Sequence, residues 1–141
     1  MITKQLSDFL QGLRYEDMSE NAVEKTKMCV EDLLDVAFAG SVRPQGEIWR
    51  EYVLAQPQRP EANAWDSGLA QLACEQAASL NAAYAHVIDM DDVHNASITH
   101  MGAITIPAAL AVGQVCHSTG KEVITAIAAG DAPVISLPSS P

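Results

Sequence analysis

The fold of this chain is decided by residues 69–88, which read LAQLACEQAASLNAAYAHVI. Apolar side chains recur here every three or four positions, the spacing of one helix face, at Leu72, Ala73, Ala77, Leu80, Tyr84 and Val87. Small residues fill most of the other sides, so neighbouring helices can approach closely. We predict a central helix that begins at Leu69 and runs to about Asp92.

Helical spacing also marks the segments on either side. The sequence predicts further helices over residues 3–13, 20–39, 47–54, 107–116 and 121–129, with loops at 56–61 and 65–68. Ser19 is placed to cap the second of the predicted helices, and Gly40 is placed to end it. Pro44–Gly46 is predicted to be a turn, and Gly130 is predicted to end the last helix.

The composition predicts one helical domain. The chain has 141 residues, 48% of them hydrophobic and only 5% aromatic. Because much of the apolar fraction is alanine, packed helices are favoured over sheets. We therefore predict an all-α, alanine-rich helical bundle over residues 1–130, followed by an irregular tail rich in proline and serine over 131–141.

The charge and the cysteines exclude several classes of partner and compartment. The net charge is −10, from 18 acidic and 8 basic residues. Such a field repels phosphate backbones and anionic lipid, so nucleic acid and membranes are not expected partners. The three cysteines are widely spaced and odd in number, which argues for a reducing compartment. No secretory signal is evident, and we predict a cytoplasmic protein.

The polar run DMDDVHNASITH at 89–100 follows the apolar central helix and carries the chemistry. A continuous helix would place His86, Asp89 and Asp92 on one face and turn Asp91 away, towards solvent. A loop after Asp92 would fold His100 back towards Asp89. A carboxylate beside an imidazole is the minimum equipment for proton transfer.

Three other interpretations remain open for this run. The carboxylates could simply be solvated, although they oppose the helix dipole at that end. A histidine such as His94 or His100 could be structural, and His86 and His117 are interpreted as structural. The run could also bind a metal, although no recognised spacing supports a particular ion; the candidate ligands are Asp89, Asp92, His94 and His100.

Four motifs together resemble a known family. They are NAAYAHVIDMDD at 81–92, HMGA at 100–103, IPAALA at 106–111 and GKEVITAIAAG at 120–130. In combination they resemble the N-terminal helical region of the MmgE/PrpD family. That family includes 2-methylcitrate dehydratase, cis-aconitate decarboxylase and iminodisuccinate epimerase. The resemblance covers about residues 1–130.

The resemblance implies a helical large domain, a smaller α+β lid domain, a homodimer and a cofactor-independent active site that contains no metal. It implies that Asp89 and His100 are catalytic, and we assign substrate binding to Asp92, His94 and Thr99. The substrate would be a small di- or tricarboxylate, as in propanoate metabolism, and the reaction would move a proton next to a carboxylate.

The tail from Asp131 to Pro141 does not continue the resemblance, since it holds three prolines and three serines. We therefore expect the chain to be a truncated N-terminal fragment of an MmgE/PrpD-type lyase that is inactive alone. Two alternatives are a non-catalytic helical dimerisation module and a small metal-dependent hydrolase.

Overall fold

A computed structural model describes residues 1–95 and 98–136, and for residues 2 and 132–136 it describes the backbone alone. Ser97 of the polar run and residues 137–141 of the predicted tail lie outside the described residues. The described chain forms six α-helices: α1 Ile2–Gly12, α2 Glu20–Ser41, α3 Pro44–Leu54, α4 Cys74–His86, α5 Gly102–Cys116 and α6 Gly120–Ser136. A 3₁₀ turn covers Tyr15–Asp17, and two short strands are β1 Ala62–Asn63 and β2 Gln71–Leu72. The all-α prediction is confirmed.

Helix α4 is the centre of the fold, as predicted, and packs against α2, α3 and α5. Four of the helices contribute large core side chains that are at most 1% exposed: Leu33 from α2, Leu80 and Tyr84 from α4, Ile106 from α5 and Ile127 from α6. Burying each of these side chains contributes about 1.5–3 kcal/mol. The core therefore runs along α4.

Helix α4 begins at Cys74, so the predicted start at Leu69 is wrong. Leu69 has a left-handed φ of 43°, and Gln71–Leu72 pair antiparallel with Ala62–Asn63. The Glu61 carboxylate then accepts a hydrogen bond from the Cys74 backbone N–H at 3.0 Å, which satisfies one free donor of the helix start. Periodicity could not reveal this start, because the capping group comes from another segment.

Gly40 lies inside α2, so the prediction that it ends this helix is wrong. It is buried, and a Cβ at this position would overlap the carbonyl oxygen of Tyr84 on α4. Glycine is present here because the two helix backbones touch. Ser19 does cap α2 as predicted, since its hydroxyl accepts from the Ala22 backbone N–H at 3.2 Å.

Two prolines lie in helices at positions where the sequence predicted otherwise. At the first a turn was predicted, and at the second a helix was predicted to begin. Pro44 occupies the first turn of α3, so the predicted turn at Pro44–Gly46 is part of that helix. Pro107 lies inside α5, which begins at Gly102 and not at Pro107. Pro107 removes one backbone hydrogen bond from α5, and the packing of α5 against α4 compensates for that loss.

Helix α6 continues to Ser136, six residues past the predicted end at Gly130. The prediction of irregular structure is therefore wrong for residues 131–136. A proline at position 133 removes the backbone hydrogen bond to the carbonyl of Ala129, and the helix nevertheless continues, packed against α5 and α2. Within the described ranges, no helix combines the length and apolar character that crossing a bilayer requires.

Candidate active site

The end of α4 determines how the polar run is arranged. The helix ends at His86, six residues before the predicted end at Asp92. Asp89 then adopts a left-handed φ of 51°, a conformation that aspartate tolerates better than most residues, and its N–H donates to the His86 carbonyl at 3.2 Å. The chain therefore turns directly after the helix, and the residues that follow do not continue the helical face.

This turn places Asp91 at the centre of the site. Its side chain is 0% exposed, with Oδ1 at 3.0 Å from Nδ1 of His86 and Oδ2 at 3.1 Å from Nδ1 of His100. The two imidazole rings are 4.9 Å apart between centroids and nearly perpendicular, at 75°. The prediction that Asp91 points to solvent is wrong because it assumed a helix that had already ended.

His86 and Asp89 complete the group, which we call the His–Asp cluster: His86, Asp89, Asp91 and His100. One nitrogen or oxygen atom from each of the four side chains lies within 4.8 Å of those of the others. His86, interpreted as structural from the sequence, is thus part of this cluster. The signal was present in the motif NAAYAHVIDMDD at 81–92, in which His86 precedes Asp89, Asp91 and Asp92 by three, five and six residues.

His100 reaches the cluster because the chain folds back between His94 and Thr99. The His94 N–H donates to the Thr99 carbonyl at 2.9 Å, and the Ile98 N–H donates to the His94 carbonyl at 2.8 Å. Helix α5 begins two residues after His100 and holds that end of the loop. The predicted return of His100 towards Asp89 is therefore present in the structure.

A cleft of about 560 Å³ lies between α2 and α6, and its lining includes Asp92 and Met101, the sequence neighbours of Asp91 and His100, but not the cluster residues themselves. Three consecutive residues of the polar run, 92–94, line it, together with Lys25 and Thr26 of α2 and Asp131 of α6. Asp92 and His94, two of the predicted substrate-binding residues, thus face one space. The third, Thr99, is half-buried and contributes its backbone carbonyl to the loop. Lys25 was missed, since nothing local in the sequence connects α2 with the motif.

The cleft favours protonated carboxyl groups. Burial raises the pKa of Asp92, and the neighbouring charge of Asp91 raises it further, against backbone hydrogen bonds that lower it. Burial also raises the pKa of Asp131, while the hydrogen bond from the Thr105 hydroxyl, at 2.8 Å, lowers it. Both carboxyl groups therefore hold a proton at higher pH than an exposed aspartate does.

Replacing Asp131 with asparagine is expected to stabilise the fold at pH 7. Asparagine removes the buried charge and keeps an oxygen that can accept from Thr105. Because the pKa of Asp131 is raised by folding, the native state binds more protons, and stability falls as pH rises through the raised value. The gain from Asp131→Asn should therefore shrink as the pH is lowered from 7 towards 4, measured by urea unfolding.

The matched control for that substitution is Asp35→Asn on the exposed face of α2, which should change the unfolding free energy little at any of these pH values. A gain from Asp131→Asn that stays constant across the pH range would contradict the assignment of a raised pKa.

Chemically, the cluster joins two imidazoles through one buried carboxylate. A carboxylate that binds Nδ1 orients the ring and leaves Nε2, on its far side, to exchange a proton. Asp89 and His100, predicted to be catalytic, are brought together by the structure, and their catalytic roles stay predictions. The same donors are also metal ligands.

Comparison with known proteins agrees with the motifs. Residues 4–131 match the MmgE/PrpD N-terminal domain. The chain is also similar to cis-aconitate decarboxylase of Aspergillus terreus and to the same enzyme of Aspergillus terreus strain NIH 2624 / FGSC A1156, at 26% identity over 124 residues in each. These alignments cover 86% of this chain and 25% of each relative.

The chain thus spans about a quarter of the length of the curated relatives it matches. No solved structure matches it. The family match covers nearly all of the described residues, including the whole cluster and cleft, and the resemblance drawn from the sequence motifs is confirmed. The chain belongs to the MmgE/PrpD family, through its N-terminal domain.

Proposed function

We propose that this chain supplies one wall of the active site of a lyase that moves a proton next to a carboxylate of a di- or tricarboxylate substrate. The observation that carries the proposal is the buried Asp91 carboxylate between two imidazoles, with the exposed Asp89 beside them. The similarity to an enzyme named cis-aconitate decarboxylase supports the substrate class.

In this proposal Asp91 is a positioning residue. Its Oδ1 lies 3.0 Å from Nδ1 of His86 and is hydrogen-bonded to it, while its Oδ2 lies 3.1 Å from Nδ1 of His100, so the carboxylate holds the His86 ring and lies directly against the His100 ring. His100 is 30% exposed at its side chain and can therefore reach a substrate from its place beside Asp91. General acid–base groups held in this way contribute typically about 10²–10⁴-fold to a rate.

Asp89 and His100 are the proposed catalytic residues. One of them would take a proton from the carbon next to a substrate carboxylate, and the other would return a proton to the product or the leaving group. Loss of water, loss of carbon dioxide and epimerisation all require a proton to move at such a carbon. Asp92 and His94 would contact the rest of the substrate from the cleft, and Thr99 would contact it from the loop.

Charge limits what the chain does by itself. A di- or tricarboxylate must approach a chain of net charge −10, and among the residues that line the cleft the cation is Lys25. One exposed lysine beside two aspartates contributes little binding energy in water. We therefore expect weak binding and little turnover by the 141-residue chain.

Histidine side-chain NMR tests this proposal directly. Adding cis-aconitate or 2-methylcitrate at millimolar concentration to the chain is expected to shift the imidazole signals of His86 and His100. His117, which is exposed at the end of α5, is the internal control and should not shift. The substrate signals in the same spectra report turnover, which should be slow or absent.

Equal shifts at all histidines, or none at the cluster, would contradict the proposed site. The His100→Gln variant should lose the shift at His86 if the two rings contact one ligand.

A further inference from the structure

Gly102, in the motif HMGA at 100–103, lies against a carboxyl group of the polar run. It is the buried first residue of α5, and Oδ1 of Asp92 is buried in the space that a Cβ at position 102 would need. The backbone of Gly102 is not in the left-handed region, so the close approach of Asp92 requires glycine here and the backbone conformation does not. His100, a proposed catalytic residue, stands two positions earlier.

We propose that Asp92 is a positioning residue for His100. Its carboxyl group holds the first turn of α5 at Gly102, and the short segment between Gly102 and His100 then sets where the imidazole lies. This inference rests on the proposed function in one respect, since the position of His100 matters to the reaction only if His100 moves a proton.

The start of α5 takes its capping group from another segment. The first N–H groups of a helix have no partner within it, and the side chain of Met101 at the N-cap makes no capping hydrogen bond. Burial raises the pKa of Asp92, and a hydrogen bond from the Gly102 N–H to its carboxylate works against that rise. The positive end of the helix dipole also favours a carboxylate at this place. Asp92 thus does at α5 what Glu61 does at α4.

Two consecutive aspartates contact the same short segment of chain. Oδ2 of Asp91 lies 3.1 Å from Nδ1 of His100, and Asp92 contacts Gly102 two residues further on. Contacts at both positions restrict the backbone between them more than either contact would alone. The His100 ring is thereby kept beside the His86 ring, at 4.9 Å between centroids.

Such positioning matters because proton transfer depends on distance. A displacement of about 1 Å can cost on the order of 10²-fold in rate. Asp92 also lines the cleft, and a carboxylate has about four acceptor sites, so the bond from Gly102 leaves sites for a substrate hydroxyl group. Positioning and substrate contact are therefore compatible, and Asp89 and His100 stay free for the proton.

NMR of the ligand-free chain tests the positioning. The wild-type chain is expected to show a nuclear Overhauser cross-peak between the ring protons of His86 and His100, whose centroids are 4.9 Å apart. Gly102→Ala and Asp92→Ala should each reduce this cross-peak to less than half. Asp92→Asn should keep it, because asparagine retains an oxygen that can accept from the Gly102 N–H.

Gly120→Ala is the matched control. Gly120 is the first residue of α6 as Gly102 is of α5, but a Cβ there would meet no atom within 4 Å, so the cross-peak should not change. A double variant tests the contact itself. Once Asp92→Ala has removed the carboxyl group, adding Gly102→Ala should cause no further loss, since the two effects are coupled.

The proposal would be overturned by a wild-type chain without the cross-peak, by an unchanged cross-peak in Asp92→Ala, or by equal losses in Asp92→Ala and Asp92→Asn. If Gly102→Ala does not fold, the two Asp92 variants still decide, because neither adds an atom to the contact. The measurement needs no ligand. A chain that keeps the expected cross-peaks but shows no ligand-induced histidine shifts would contradict the proposed function and leave the positioning of His100 supported.

Discussion

Replacing Gly40 with alanine is expected to destabilise the protein by about 3 kcal/mol, the upper end of the usual cost of overpacking. Gly40 is buried in α2, and the added methyl group would overlap the backbone carbonyl oxygen of Tyr84 in α4. A backbone atom in the middle of a packed helix cannot rotate away as a side chain can. Helices α2 and α4 would have to separate, and this would loosen the core packing of Leu33 in α2 and Leu80 in α4.

Helix propensity acts in the opposite direction and makes the test sharper. Alanine is the better helix former by about 1 kcal/mol, so a net loss at position 40 must come from the clash. Gly12→Ala is the matched control, because a Cβ at Gly12 would meet no atom within 4 Å. Urea denaturation should show Gly12→Ala neutral or slightly stabilising. Similar effects at the two positions would mean that α2 and α4 do not touch at Gly40.

Replacing Asp66 with alanine is expected to destabilise the protein by about 3 kcal/mol, a typical cost of breaking a buried charge pair. Asp66 is 7% exposed at its side chain and connects three segments. Its carboxylate accepts from Nε of Arg50 in α3 at 3.0 Å, from the Tyr84 hydroxyl in α4 at 3.3 Å and from the Gly68 N–H at 2.9 Å.

Without Asp66, the Tyr84 hydroxyl would lose a partner in the core. Burial raises the pKa of Tyr84, followed by the charge of Asp66, so this hydroxyl stays protonated and remains a donor that needs an acceptor. Arg50 would lose less, because its side chain is 32% exposed and water can replace the carboxylate.

Asp8→Ala is the matched control for Asp66→Ala. Asp8 pairs with Lys4 at 2.6 Å, a shorter distance than the 3.0 Å of Asp66 and Arg50, but the two side chains are 60% and 77% exposed. Exposed pairs contribute about 0.2–1 kcal/mol, so Asp8→Ala should change stability little. If thermal unfolding showed the same loss of stability in both variants, burial would not determine how much these ion pairs contribute.

The order and type of the helices could be predicted because they depend on local pattern. The spacing of Ala77, Leu80 and Tyr84 indicated the central helix, and Ser19 indicated the start of α2. Helix ends were predicted less well, since other segments set them. The Glu61 side chain caps α4, and the Tyr84 carbonyl explains the glycine at position 40.

The candidate site, like the helices, could be predicted only in part. The motif indicated that carboxylates and imidazoles would lie together, and the pair Asp89 and His100 is present in the cluster. The assignment of Asp91 to solvent failed because it extended a helical face past His86. Lys25 could not be predicted to line the cleft, because its approach to the polar run depends on how α2 packs.

By itself the sequence determined that the chain is helical and which family it belongs to, because helix periodicity and family motifs both depend on residues that are close together in the chain. Only the tertiary structure decided that the buried carboxylate between the histidines is Asp91, while Asp89 lies exposed at the edge. The physical reason is the left-handed turn at Asp89, which redirects every side chain that follows. Within that turn the Asp89 N–H donates to the His86 carbonyl, and the Asp91 carboxylate that follows meets His100 only in the folded chain.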